Sequence, residues 1–197
     1  MRTRLRLPKT VTVLIDSREK STKAIEFPRT LLVPGDRGYG THSVRISTVK
    51  KELKTGDYML ASASGKPFLA KDGRPASACE RKGSVSELNT NLNSNDRQRA
   101  LRAWDRMAAE IAHPFALFDF KLHECYAPKT YMKMPTLVIS QMFRELALRA
   151  DMPVLWLPPA AKPVRVGEML LHYMWQHCLI EGFRTKVRKT HEETNST

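Results

Sequence analysis

The first readable pattern is TVTVLI at residues 10–15, a β-branched apolar run closed by Asp16, and it predicts a buried strand. Residues 28–41 hold Pro28, Pro34 and three glycines, and read as a long loop. Apolar and polar positions then alternate over 44–49, predicting a second strand, and a third follows Gly56 at 57–61. Residues 62–77 read as an inserted excursion, with 68–70 and the turn signal Asp72-Gly73 predicting a small hairpin. Residues 76–81 return to strand character, with small side chains suited to lie beneath a helix.

Helical spacing begins with Val85, Leu88 and Leu92. After a polar break at 93–96, Leu101, Trp104, Ala108 and Ile111 mark one face of a second helix, closed by Pro114. FALFDF at 115–120 predicts a strand, 137–149 a helix, 154–157 a strand and 166–180 a last helix. The alternation of strands and helices predicts an α/β fold, a mixed β-sheet flanked by α-helices. No internal repeat or dividing linker interrupts it. The expectation is one domain over 10–182, a basic N-terminal arm at 1–9 and a polar, flexible tail at 183–197.

Charge narrows the functional classes. Lys and Arg number 33 against 20 Asp and Glu, a formal net charge of +13 in 197 residues. That excess favours a polyanionic partner, nucleic acid before an anionic membrane surface. No apolar run approaches the roughly 20 residues of a membrane span, and the arginines at the N-terminus precede no signal-peptide core. Cys79, Cys125 and Cys178 are odd in number and far apart, and the histidines form no HExxH, so neither disulfides nor zinc are suggested. An intracellular protein follows as the expectation.

The candidate chemistry lies in Glu80-Arg81-Lys82. Side chains alternate on a strand, so Glu80 and Lys82 share a face and Arg81 leaves the other. A carboxylate beside an ammonium on one sheet face suits phosphodiester hydrolysis: the carboxylate holds a divalent cation and the lysine attends the attacking water. Asp57, opening a neighbouring strand, supplies a second carboxylate. Two carboxylates and a carbonyl suffice for Mg²⁺, which keeps several waters. An isolated Glu-x-Lys would be a surface ion pair worth about 0–1 kcal/mol.

The surrounding residues make the pattern more specific. Val13-Leu14-Ile15-Asp16-Ser17-Arg18-Glu19, then Gly56-Asp57-Tyr58, then Glu80-Arg81-Lys82 resemble the nuclease domain of the XPF-type structure-specific endonucleases, within the PD-(D/E)XK, restriction-endonuclease-like superfamily. Leu88, Leu92, Arg97 and Arg99 continue the likeness. The resemblance implies a restriction-endonuclease-like sheet and a metal-dependent DNA endonuclease acting on branched or flap DNA, with roles in DNA repair or recombination. It implies Asp57 and Glu80 as ligands of Mg²⁺ or Mn²⁺, Lys82 as the water-positioning base, and Asp16 and Glu19 as further acidic residues shaping the site. Arg81 matches the family's essential arginine, with an indirect role expected from its opposite face. The resemblance also implies a homodimer through the C-terminal helices, around Met132, Met134, Met142 and Phe143.

Two departures stand out. The aspartate expected after Glu-Arg-Lys falls at Ser86, with Glu87 one position later, and the spacer from Asp57 to Glu80 is long. A nuclease domain without the helix-hairpin-helix modules of eukaryotic members is expected, and with that resemblance the cytoplasm of a prokaryote or phage-infected host rather than a nucleus. Alternatives within reach of the same residues are a restriction-like or exonucleolytic enzyme and a non-catalytic DNA-binding partner subunit.

Arg99, Arg102 and Arg106 form a stripe opposite Leu101 and Trp104 and, with Arg97 and Lys54, are candidates for DNA phosphate contact. Lys50, Lys51 and Lys54 form a run just before Gly56-Asp57, read either as a track for the DNA backbone or as a solvated strand end. His123-Glu124-Cys125 reads as an ordinary loop, and His172 and His177 as packing or solvent-facing residues.

Overall fold

The computed structural model describes residues 7–19, 25–34, 40–93, 95–120, 140–141, 144–156 and 162–186. Strand β1 (Thr10–Asp16) lies inside the sheet because its apolar residues are needed on both faces. It pairs in parallel with β3 (Thr41–Lys51) and antiparallel with β4 (Tyr58–Ser62). Strand β2 (Thr30–Pro34) closes one edge against β3. On the other side follow β5 (Ser77–Lys82), antiparallel to β4, then β6 (His113–Phe118) and β7 (Val154–Trp156), both parallel. The order is β2-β3-β1-β4-β5-β6-β7, a mixed sheet of seven strands among the described residues.

Parallel neighbours need a crossover, and helices supply it. Helices α1 (Val85–Asn93) and α2 (Arg97–Glu110) join β5 to β6 and cover one face. Val85, Leu88, Leu92, Leu101, Trp104 and Met107 pack there on Leu14, Met59, Ala78, Ala116 and Phe118. Helix α3 (Pro163–Ile180) covers the opposite face, where Leu170, Leu171, Met174 and Trp175 meet Val11, Val13, Leu60, Phe115 and Leu117. Each fully buried Leu contributes about 1.5–3 kcal/mol by leaving water. α3 approaches so closely that a Cβ at Gly167 would lie 2.1 Å from the Glu26 carbonyl oxygen.

The expected α/β architecture is therefore present, with helices on both faces of a mixed sheet. Within 28–41, however, β2 occupies 30–34 of the expected loop, while 35–39 lie outside the described residues. Its burial alternates, Leu31 and Val33 inward and Leu32 outward, a two-residue period that the flanking prolines and glycines obscured. β3 extends beyond the expected 44–49 at both ends. Pro114 lies inside β6 near its start, and α2 already ends at Glu110. Of the expected helix at 137–149, Arg144–Arg149 is a π-helix, while 137–139 and 142–143 lie outside the described residues. So do Met132, Met134, Cys125 and the His123-Glu124 pair.

The excursion after β4 folds as the expected hairpin, with bridges at Ala61–Pro67 and Leu69–Pro75. It braces both helical layers at one end of the sheet. Arg74 donates to the carbonyls of Ala109 and Ile111, at 3.3 and 3.1 Å, satisfying acceptors that the end of α2 leaves open. The Lys71 N–H donates to Glu181 just past α3, and Leu69 N–H to the Arg184 carbonyl. Phe68 meets Phe183 edge to face at 5.1 Å, so the first residues of the expected tail are packed. Among the described residues no helix is long and apolar enough to cross a membrane.

Candidate active site

The opposite end of the sheet gathers the acidic motif residues. Gly56 makes the turn into β4 at φ +77°, and a Cβ there would lie 3.2 Å from the Cys79 carbonyl oxygen, so glycine is required. The turn delivers Asp57 between β1 and β5: its N–H donates to Cys79 and its carbonyl accepts from Asp16 N–H, both at 2.8 Å. Glu80 and Lys82 leave β5 on the side of α1 and α2, the face shared by Ala78. Asp57 stands two residues before Met59 on that face, and Asp16 two residues after Leu14.

Lys82 Nζ donates to Glu80 Oε1 at 2.8 Å and reaches Glu87 Oε1 at 3.5 Å. The Ser84 hydroxyl accepts from Glu87 N–H at 3.1 Å, and Glu87 Oε2 accepts from Gly83 N–H at 2.9 Å. This is capping-box chemistry at the start of α1, and it fixes Glu87 over the lysine. Of the two residues near the family aspartate, Glu87 is thus the one whose carboxylate reaches Lys82, while Ser86 is exposed.

Burial first, and the Glu80 carboxylate second, push the Asp57 carboxyl well above the usual carboxylate range, against the Arg81 N–H and Lys82. Burial opposes charge on Lys82, but Glu80, Glu87 and Asp57 outweigh it and push the ammonium up to about 12. Lys82 is therefore a cation at neutral pH.

Asp57 Oδ2 accepts the Arg81 N–H at 2.7 Å and Glu80 Oε1 accepts Lys82. Among the described residues no protein donor reaches Asp57 Oδ1 or Glu80 Oε2. Lys82 directs its own carbonyl to Asp119 N–H on the β6 side, so alternation turns the Arg81 carbonyl toward Asp57. Hard oxygen donors on two neighbouring strands, each carboxylate with one oxygen left over, fit Mg²⁺ or Mn²⁺. No group of three or more His, Cys, Asp or Glu poised for a metal occurs among the described residues, and a cation here would complete its shell with the carbonyl and water.

The remaining expected residues divide. Asp16 is clasped by Arg18 through Nε and Nη2, at 3.0 and 2.7 Å to Oδ2. Burial would raise its pKa, but these bonds hold it below the usual range. Glu19 turns to the other face and accepts from Arg81 at 3.1 Å. Arg81, with its side chain 2% exposed, bridges Glu19 and Asp119. Arg97 faces the buried Glu145, Arg99 pairs with Asp96 one turn back, and Lys54 reaches Glu110 at 2.7 Å. Arg102 is exposed on α2. Asp119 had no sequence signal beyond its place at the end of an apolar strand. Burial pushes the thiols of Cys79 and Cys178 up, so neither is a reactive nucleophile.

His177 lies far from these groups, stacked on His113 at 4.9 Å and hydrogen-bonded to Ser77 at 2.9 Å. His113 pairs with Glu181 at 3.0 Å.

No family model matches the sequence, and no curated protein matches it. Among solved structures, XPF from Aeropyrum pernix matches with a TM-score of 0.49 at 15% identity, over 86% of this chain and 64% of that one. XPF from Aeropyrum pernix in complex with DNA matches with a TM-score of 0.48 at 14% identity, over the same shares. The chain thus spans less than two thirds of the length of either.

Proposed function

We propose that the protein is a metal-dependent DNA endonuclease that hydrolyses phosphodiester bonds in branched or flap DNA, with its active site at Asp57, Glu80 and Lys82. The observation that carries this reading is the pairing of two neighbouring carboxylates, each with an oxygen that no protein donor among the described residues satisfies, beside a lysine kept cationic. Such a pair is unfavourable alone and suited to a divalent cation. Asp57, Glu80 and the Arg81 carbonyl would hold Mg²⁺ or Mn²⁺. Bound there, the ion supplies Lewis acidity toward a phosphoryl oxygen and toward water.

The protein's own groups do the rest. Lys82, as an ammonium, orients the attacking water and offsets charge that builds on the phosphoryl oxygens. Its high proton affinity favours that role over proton abstraction. Glu80 and Glu87 set the position of Nζ from two sides. Asp16 and Glu19 shape the site through the arginines they hold. Selectivity for branched DNA, and a homodimer through the C-terminal helices, are supported by the motif resemblance.

A cleavage panel of flap, fork, four-way junction and linear duplex with each divalent ion tests the reading. Cutting of flap or fork DNA with Mg²⁺ or Mn²⁺ is expected. Asp57→Asn and Glu80→Gln should each lose at least about a hundredfold in rate, near 3 kcal/mol of barrier, while still binding DNA. Full cleavage by either purified variant overturns the assignment, and equal cutting of linear duplex removes the structure-selective part.

A further inference from the structure

Of the cations expected to meet DNA, Arg97, Arg99 and Lys54 are engaged by carboxylates of the protein. A different set stands open beside the candidate site. Arg18 has a side chain 61% exposed although Asp16 holds its Nε and Nη2 and the Leu53 carbonyl accepts from Nη2. Among the described residues no acceptor reaches its Nη1. The Asp57 and Glu52 carboxylates add through-space attraction that keeps the guanidinium at this end of the sheet. A guanidinium whose fork is fixed by one carboxylate, with its last nitrogen outward, is already ordered for a phosphate oxygen.

Next to Arg18 the surface continues on β3. Lys51 is in parallel register with Asp16, so both lie on the face of Asp57 and Glu80. Val49, Ser47 and Arg45 follow on that face, and all four are exposed. The α1–α2 layer packs on β5, β6, Met59 and Leu14, and among the described residues this face of β3 beyond them stays open. No carboxylate pairs with Arg45 or Lys51 among the described residues. From Lys51 to Arg45 the strand runs about 20 Å, the length of about six nucleotides of one strand in duplex DNA.

We infer that Arg18, Lys51 and Arg45 form a track for the DNA phosphate backbone, leading duplex away from the candidate site along β3. Asp16 serves this track as the holder of Arg18 rather than as a cation ligand. The occupant is DNA by charge complementarity, and the inference rests on the nuclease reading of the neighbouring site.

The salt dependence of binding tests it. Anisotropy of a labelled fork DNA is measured with the full chain in EDTA, so that nothing is cut, from 50 to 300 mM salt. Each phosphate contact adds about 0.9 to the slope of log affinity against log salt. Replacing Arg45 and Lys51 together by Gln should lower the slope by about 2, Arg18→Gln by about 1, and the double change should cost about tenfold in affinity at moderate salt. Arg45→Lys with Lys51→Arg should keep the slope, as should Arg165→Gln on α3. Melting of each variant checks its fold. A wild-type slope in the Gln variants overturns the track while leaving the nuclease reading in place. Wild-type protein that shows no salt-dependent binding overturns both. Polyglutamate displacing the DNA as well as unlabelled DNA of equal charge overturns the nucleic-acid occupant.

Discussion

The backbone N–H of Arg81 donates to the Asp57 carboxylate at 2.7 Å, while its guanidinium leaves the other face of β5 to hold Glu19 and Asp119. One residue thus orients a candidate cation ligand on one side and ties the ends of β1 and β6 together on the other. The sequence motif places an arginine between two candidate site residues, and the pleat gives it contacts of its own: it acts through the sheet.

Asp57→Asn should stabilise the metal-free protein at neutral pH. A carboxyl whose pKa is raised on folding supports stability below about pH 4, and that support is lost as pH rises through the folded value. Asn keeps the acceptor for Arg81 and removes the repulsion from Glu80. Mg²⁺ should raise the melting midpoint of the wild type, by about 2.7 kcal/mol of stability at a hundredfold excess over its dissociation constant, and leave Asp57→Asn unmoved. A wild type indifferent to Mg²⁺ and Mn²⁺ in the same melts would remove the cation site.

Lys82→Arg should retain more activity than Lys82→Met, because the role assigned is that of a cation. The stability that Lys82 gains from Glu80 is fully present below about pH 10.5 and lost as pH rises through about 12. The role of a cation predicts that cleavage shows no basic limb that Lys82→Arg removes. A limb near pH 8 that disappears in Lys82→Arg would return the lysine to proton abstraction.

Arg81→Met strands two partly buried carboxylates, Glu19 at 20% and Asp119 at 22% side-chain exposure. Loss of about 2–4 kcal/mol in denaturant unfolding is expected. In the double variant Arg81→Met with Asp119→Asn, part of that loss should return. Strict additivity would show that the pair is not coupled.

His177 is held down to about 4 by burial, with the neighbouring His113 adding to it. A depressed pKa means stability that is present above about pH 6.5 and lost as pH falls through 4. His177→Gln, which can still meet Ser77, should flatten that decline by about 1–2 kcal/mol between pH 7 and 4.5. An unchanged pH profile of the melting midpoint would rule the histidine out.

Local chemistry was most legible where the pattern was strong. The run at 10–15, the FALF segment and the apolar spacing of α2 each had one physical reading, and each forms that element. β2 was hidden because five residues between prolines carry too short an alternation to outweigh turn formers. The π-helix was hidden because its identity depends on one extra residue per turn, to which composition is blind. Alternation alone brought Glu80 and Lys82 together. It could not show that Arg18 and Arg81 divide the two acidic residues of the first motif between opposite faces, since that depends on how the chain leaves β1. Nor could it show that Lys54 and Arg97 would find carboxylates, because Glu110 and Glu145 are distant in sequence.

The strict alternation of β5 leaves no room for a change in its length. Inserting or deleting one residue within its six would exchange its two sets of neighbours. The guanidinium would land under the α1 cap, and a carboxylate would be driven among the aromatic rings beside α3. A residue inserted in the hairpin before β5, at the far end of the sheet, would shift none of these neighbours. There, extra residues would alter the brace between helices and leave the candidate site untouched.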